Sequence, residues 1–202
     1  VLYPDDSTET GKTLRLKQEY FFTAASLADI LARFTTEHGT DLSLLPRKVA
    51  IQLNDTHPAI AGPELVRLLM DAHGRSFEEA VGLAQATLNY TNHTLLPEAL
   101  EAWPEALMGS LLPRHMQLIE RIDASHAKAH PTRRAKALDH GQVRMGELSF
   151  IMANRGNGVS ALHTDLMRST VFADLDRLHP ERIVNQTNGV TPRRWIRGCN
   201  PR

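Results

Sequence analysis

The sequence predicts a helix-rich α/β fold, and three observations carry that reading. Lys48-Val49-Ala50-Ile51-Gln52-Leu53 is short and rich in β-branched residues, the signature of a buried strand. Several other segments repeat apolar residues every three to four positions, which lines one side of a helix. The polar cluster Asn54-Asp55-Thr56-His57 leaves the carboxyl end of the strand, where ligands gather in open α/β folds.

In chain order, Leu2-Tyr3-Pro4-Asp5-Asp6-Ser7 reads as a turn, because Pro fixes φ and Asp and Ser bond to nearby backbone. Tyr20, Ala24, Leu27, Leu31 and Phe34 mark a helix that ends at His38-Gly39, with Tyr20-Phe21-Phe22 expected in the core. After the strand, Asp55 or Thr56 before Pro58 reads equally well as a helix cap or as functional. Leu65, Leu68, Leu69 and Ala72 predict a helix stopped by His73-Gly74. Ser76 with Glu79 has the capping-box spacing and opens a helix that buries Phe77, Ala80, Ala84 and Leu88. Leu95 to Trp103 resumes helical spacing, with Glu98 in the first turn, where the helix dipole favours an anion. Pro104 and Pro113 punctuate the chain before an amphipathic helix through Leu112, Met116, Ile119 and Ile122. Arg121 to Arg134, with His126, His130 and Arg133, reads as a solvated helix end rather than an anion site. Glu147 to Ala153 is a second strand candidate, although a buried helix would read the same. Asn154-Arg155-Gly156-Asn157-Gly158 is expected as a turn whose glycines are free to take positive φ. Val159, Leu162, Leu166, Phe172, Leu175 and Leu178 support one or two helices, and Pro180 precedes Ile183-Val184. A turn through Asn188-Gly189 then leads to Thr191 as N-cap and Pro192 as first helical residue. Arg193 and Arg194 oppose that helix's dipole and are expected to pair with specific groups.

With 42% hydrophobic and 23% charged residues, 202 residues supply one sizeable core or one large piece of something bigger. The 23 basic and 23 acidic side chains leave no net field for nucleic acid or an anionic membrane. No leader and no membrane-length apolar run occurs, which sets secretion and N-glycosylation aside and favours the cytoplasm. The single cysteine, Cys199, excludes an internal disulfide and reads as bystander packing. Both ends look cut, so the chain is read as a fragment.

Three clusters dense in hydrogen-bonding side chains point to one site: Asn54 to His57, Tyr90 to Thr94, and Asn185 to Gly189. Asn, Thr, His and Asp suit sugar hydroxyls, each of which both donates and accepts. Asp55, His57, His93 and Glu98 lack metal-ligand spacing, so no metal is expected, and no nucleophile elbow is present.

Six motifs, in order from end to end, closely resemble the α-glucan phosphorylases, the family of glycogen, starch and maltodextrin phosphorylase. They are Leu2-Tyr3-Pro4, Leu14 to Phe21, Gln52 to Pro58, Tyr90 to Thr94, Leu112-Pro113-Arg114-His115 and Thr187 to Trp195. The resemblance implies a two-domain GT-B-type glycosyltransferase with pyridoxal phosphate, of which residues 1–202 are a single partial domain, the later part of the Rossmann-like amino-terminal half. It implies that the parent cleaves terminal α-1,4-glucosyl units of a glucan with inorganic phosphate to give glucose 1-phosphate, and leaves a homo-oligomer open. The cofactor's aldehyde is held in that family by a lysine in a Gly-Thr-Gly-Asn-Met-Lys-like run that does not occur here, so this chain alone is expected to be inactive. A catalytically silent carbohydrate-binding or assembly module is the alternative.

Carried over by motif, His93 resembles the residue that meets the glucose 6-hydroxyl, and Asn188 its partner. Asp55, Thr56 and His57 look like the acceptor-side wall, with Thr94 beside them. Asp6 and Ser7 occupy the position of the mobile gate, Glu98 lies behind it, and Trp195 looks like a wall of the cofactor pocket. Two departures stand out. The gate reads Asp5-Asp6-Ser7 where members usually have Asn-Asp-Asn, and Gly156-Asn157-Gly158-Val159-Ser160 replaces the commoner Val-Asn-Gly-Val-Ala.

Overall fold

The computed structural model describes residues 4–96, 98 and 100–200. The gate-side motif residues Leu2 and Tyr3 lie outside it, as do Pro97 and Ala99 in the stretch expected to be helical. No helix among the described residues is long and apolar enough to cross a membrane.

The chain opens with α1, Glu9–His38, about 45 Å long at 1.5 Å per residue. Thr8 caps it by accepting from the Gly11 amide, and Gly39 ends it at φ 78°, its amide donating to the Thr35 carbonyl. Leu16, Thr23, Leu27, Leu31 and Phe34 form its buried stripe. Tyr20 packs edge-on against His115 at 5.0 Å, but Phe21 and Phe22 are 66% and 60% exposed. Three consecutive positions sweep about 200° of a helix, and one stripe cannot bury them all. Only Tyr20 of the aromatic run therefore meets the core.

A short helix α2, Leu45–Lys48, delivers the chain to β1, Ile51–Asn54, so the strand starts three residues later than expected. Pro46 in the first turn holds Arg47 and Lys48 in helix. Next come α3, Ala61–Arg67, continued by a π-turn over Leu68–Ala72, and α4, Phe77–Thr87, with both arms of the Ser76–Glu79 capping box made. Strand β2, Leu88–Thr91, follows without a loop, Leu88 serving as the C-cap of α4.

The stretch after it departs from expectation. Glu98 is exposed and Trp103 lies on a strand, β3, Ala102–Pro104, so the helical spacing from Leu95 to Trp103 does not become a continuous helix. Trp103 is buried by cross-strand packing instead, paired with Val143. Then come α5, Glu105–Leu111, and α6, Pro113–Ala129. Strands β4, Leu138–Asp139, and β5, Gln142–Arg144, form a hairpin. Its two central residues, His140 and Gly141, have φ of 50° and 71°, as a type I′ turn requires.

Residues 147–153, a strand candidate, belong to α7, Met145–Met152. All eight of its residues are buried, so no periodicity betrays the helix. The expected glycine turn is strand β6, Gly156–Gly158, and neither glycine has positive φ. Space is the reason for Gly158: an added Cβ would stand 2.4 Å from Thr164 Oγ1 and 2.8 Å from Thr164 Cα. The remaining elements are α8, Ala161–Ser169, α9, Ala173–Leu178, β7, Ile183–Asn185, and α10, Pro192–Cys199.

Strands β1-β2-β6-β7 lie side by side in that order, all parallel, and β3-β5-β4 make a small antiparallel sheet. Leu53, Tyr90 and Ile183 enter the core from the large sheet, with Phe150 and Phe172 stacked at 5.7 Å. A buried polar tie joins α3 to α6: Glu64, 1% exposed, accepts from Arg67 Nε at 2.7 Å and Arg67 Nη2 at 2.8 Å. Its Oε2 also lies 2.6 Å from His115 Nε2.

Candidate functional site at the sheet's carboxyl edge

Because the four strands run parallel, the chain leaves the sheet at one edge after Asn54, Thr91, Gly158 and Asn185. The three polar clusters of the sequence all emerge there. Neighbouring strands stitch them together: the Asp55 amide donates to the Thr91 carbonyl at 2.9 Å, and the Asn92 amide to the Asn157 carbonyl at 3.0 Å. The Gln186 and Asn188 amides bond the Gly158 and Val159 carbonyls at 3.0 and 2.9 Å. Beneath them Thr91 Oγ1 donates to Asn157 Oδ1 at 2.8 Å and accepts from Gln52 Nε2 at 2.8 Å, which ties β1, β2 and β6 together through side chains.

His93 is exposed, and its Nε2 lies 2.7 Å from Asn54 Oδ1. An amide oxygen only accepts, so Nε2 donates to it, and in the neutral tautomer this selects, Nδ1 is the acceptor for a hydroxyl. Asp55 sits at φ 63°, a left-handed backbone that Asp tolerates better than most residues, with Oδ1 accepting from the Thr56 amide at 2.7 Å. Thr56 is buried, while the hydroxyl of Thr94 accepts weakly from the Leu96 amide at 3.4 Å. Asn92, fully buried, donates to Tyr90 Oη at 3.1 Å and anchors the loop that carries His93.

His163 joins this edge although nothing in the sequence singles it out. Its Nδ1 accepts from the Val159 amide at 3.3 Å. Burial holds its pKa below the ordinary value, His93 adds to the depression, and Asp55 opposes it. A histidine one turn into an amphipathic helix carries no mark of function in sequence, so only the packing of α8 on β6 reveals it.

Asp6, His57 and Glu98 lie apart from His93, along a cleft of about 510 Å³ that Lys12, Arg15, Glu101 and Trp103 also line. Arg15 is its hub, bonding Asp6 at 2.5 Å, Glu19 at 3.2 Å and Glu101 at 3.2 Å, with Nη2 3.3 Å from His57 Nδ1. Glu101 raises the His57 pKa against the effects of burial and Arg15. Glu19 is pushed up to about 9, first by burial and then by the neighbouring Glu101, so it holds its proton at neutral pH. Sequence reading missed Arg15, Glu19 and Glu101 because they sit on a helix face and a strand approach, where charges are commonly solvated.

Other expectations are corrected or left isolated. Ser7 is exposed, its amide bonded to Asp5 Oδ1 at 2.9 Å. Every residue of α10 is exposed, Trp195 at 62%, and Thr191 makes no side-chain cap bond. Cys199 is likewise exposed rather than packed. Arg193 and Arg194 make no ion pair within the described residues, so the specific partners expected for them are not found there. Arg133 is not solvated: with 7% of its side chain exposed, it binds Asp123 at 2.6 Å and the Ala135 carbonyl at 2.9 Å. His126 is buried as well, against His179 and His130, and burial first of all pushes both His126 and His179 down to about 4.

A sequence-family model described as Carbohydrate phosphorylase matches residues 1–202. Among curated relatives, "Alpha-glucan phosphorylase 2, cytosolic" of Arabidopsis thaliana is 47% identical over 218 residues, covering 100% of this chain and 26% of that protein. "Glycogen phosphorylase" of Pasteurella multocida is 46% identical over 213 residues, with the same coverages of 100% and 26%. "Glycogen phosphorylase, brain form" of Bos taurus is 44% identical over 220 residues, again covering 100% and 26%. The chain thus spans about a quarter of the length of these relatives.

Proposed function

The chain belongs to the carbohydrate phosphorylase family, and from that premise we propose that the intact protein phosphorolyses terminal α-1,4-glucosidic bonds of a glucan, releasing glucose 1-phosphate. The helix-rich α/β architecture with its parallel sheet fits the amino-terminal half of a two-domain GT-B-type glycosyltransferase. Residues 1–202 are then one partial domain, completed by a carboxyl-terminal domain, and inactive alone.

One observation carries the reading: His93, held by Asn54, stands at the strand edge with Asp55, and the Asn188 backbone is tied to the same edge through Val159. His93 offers Nδ1 as acceptor and Asn188 an exposed amide, a pair suited to one sugar hydroxyl. Both would grip the glucosyl unit as its charge develops. Asp55, Thr56, His57 and Thr94 form the acceptor-side wall, and Asp6 and Ser7 the gate, with Glu98 behind it.

Pyridoxal phosphate belongs to the same proposal. Trp195 offers an exposed indole face, with the exposed Arg193 and Arg194 beside it in sequence, which fits one wall of a site for an aromatic phosphate. When bound, the cofactor supplies a phosphate that exchanges a proton with the substrate phosphate. The cytosol is the proposed compartment, and assembly as a homo-oligomer is compatible with this reading.

The test is phosphate-dependent release of glucose 1-phosphate from maltodextrin by the intact protein. His93→Ala or Asn188→Ala should lower kcat about 100-fold or more, as expected for a hydrogen bond used in the transition state. Arg33→Ala, on the exposed face of α1, should leave it unchanged. Glucan binding without phosphate-dependent release from the cofactor-loaded protein would favour a silent binding module, and equal losses in all three variants would overturn the residue roles.

A further inference from the structure

Away from the strand edge, three imidazoles converge where α6 passes the end of α9. His126 lies in the last turn of α6, and His130 is the C-cap that follows it, its amide donating to the His126 carbonyl. His179, the C-cap of α9, meets them there. His126 Nε2 and His179 Nε2 are 3.1 Å apart, and one nitrogen from each of the three rings falls within a span of 4.8 Å. The ring centroids lie 4.9, 5.4 and 4.7 Å apart. His126 is 8% exposed, and its Nδ1 is buried without a hydrogen-bond partner. The rings open on a cavity of about 420 Å³ that Gln85, Ser125 and Arg182 also line. None of the three histidines lines the cleft of Asp6 and Glu98.

We propose that His126, His130 and His179 bind a late first-row divalent transition cation, Zn2+ foremost, through three ring nitrogens. At a metal–nitrogen distance of about 2.0–2.1 Å, two ligands of one tetrahedral ion stand about 3.3 Å apart, close to the observed 3.1 Å. The third nitrogen, on the half-buried His130 ring, lies within 4.8 Å of the other two and closes on the ion by rotation of that ring. Water drawn from the cavity fills the fourth position. Three imidazoles with no carboxylate and no thiolate suit Zn2+, Co2+, Ni2+ or Cu2+ and not the oxygen-seeking Mg2+ or Ca2+. A ring-to-ring hydrogen bond alone accounts for the contact between His126 and His179, but not for the placement of the third ring.

Nearby charge works against a cation, and both sources are committed elsewhere. Arg133 is neutralised by Asp123 at 2.6 Å. Arg182 donates to the Ala153 and Asn154 carbonyls and lies 5.5 Å from the centre of the Phe150 ring. Arg182 forms no ion pair with a carboxylate among the described residues, so it weakens the site relative to one with a balancing acid.

The test is titration of the intact protein, stripped with chelator, with Co2+, reading the visible absorption of a tetrahedral complex and its displacement by Zn2+. One equivalent per chain is expected. Loss of a ligand in His130→Ala or His179→Ala should weaken binding by about 100-fold or more, beyond the effect usual for outer-shell changes. His140→Ala, 93% exposed on the hairpin, should change nothing. Circular dichroism checks that each variant is folded, with His130→Gln and His179→Gln replacing any alanine variant that is not. Absence of stoichiometric Co2+, or unchanged affinity in the folded His130 and His179 variants, would overturn the proposal.

Discussion

Glu64→Gln tests the logic of the buried tie between α3 and α6. The carboxylate is 1% exposed and accepts two bonds from Arg67, while His115 Nε2 lies 2.6 Å from its Oε2. Glutamine keeps the size but offers a single acceptor oxygen and turns an NH2 toward one group of donors. Two charge-assisted bonds at about 1.5–3 kcal/mol each set the scale. Arg67 keeps 27% of its side chain in solvent and recovers part of that loss, which brings the expected cost to about 3 kcal/mol. By the factor of ten per about 1.4 kcal/mol, amide exchange limited by opening of α3 and α6 should accelerate about 100-fold. Hydrogen exchange of the intact protein, read by mass spectrometry on peptides covering residues 61–67 and 113–129, measures it. The pH dependence supplies a second check. Burial raises the Glu64 pKa, but the bonds from Arg67 and His115 outweigh it, and the folded value lies below 4.5. A depressed acid contributes stability that is present above the unfolded value and lost as pH falls through the folded one. The acid limb of the wild-type melting profile should therefore flatten in the variant. Protection unchanged within threefold, with an unaltered acid limb, would refute the reasoning.

Two further outcomes follow from the site and its support. Glu19 has the opposite sign: its folded pKa is raised from 4.5 to about 9, so it favours folding at low pH and loses that contribution as pH rises between those values. Glu19→Gln, which mimics the protonated form, should flatten the decline in melting temperature across that window, and a profile parallel to wild type would contradict the reading of Glu19 as a buried, protonated acid. Gly158→Ala forces its Cβ to 2.8 Å from the Thr164 Cα, backbone that opens α8, and should destabilise by about 1–3 kcal/mol. Gly156→Ala meets only the Phe150 and Tyr90 rings at 3.4 Å and beyond and should lose less; equal losses in calorimetry would undo the packing argument.

What could be read from sequence was whatever has one face in solvent. The stripes of α1 and α6 and the capping box of α4 are of that kind, and they appear where the spacing puts them. Elements buried on both sides were opaque. Helix α7 hides every residue and so reads as a strand, and β2 begins on the last turn of α4 with no punctuation. In β6 the glycines answer to the closeness of Thr164 rather than to backbone freedom, a distinction the residue letter does not hold. The strand-end clusters were legible because polar side chains there have no packing role to explain them. The Arg15 hub was not, since it depends on partners far away in the chain, nor was His163, which only the packing of α8 on β6 brings to the edge; the His126-x-x-x-His130 spacing reads as a solvated helix end, and the burial of His126 against His179 overrides it.

The pairing of β2 with β6 also bears on how the chain assembles. Tyr90 and Gly156 are 66 residues apart, against 37 for Ile51 and Leu88 and 27 for Gly156 and Ile183. Loop-closure entropy therefore disfavours this seam by about 0.5 kcal/mol relative to β1 with β2, and by about 0.8 kcal/mol relative to β6 with β7. His93 arrives from one side of the seam and Asn188 from the other. Two locally closed halves can each reach their own strand pairing first, and the edge that carries both His93 and Asn188 comes into being only when the longest loop of the sheet shuts.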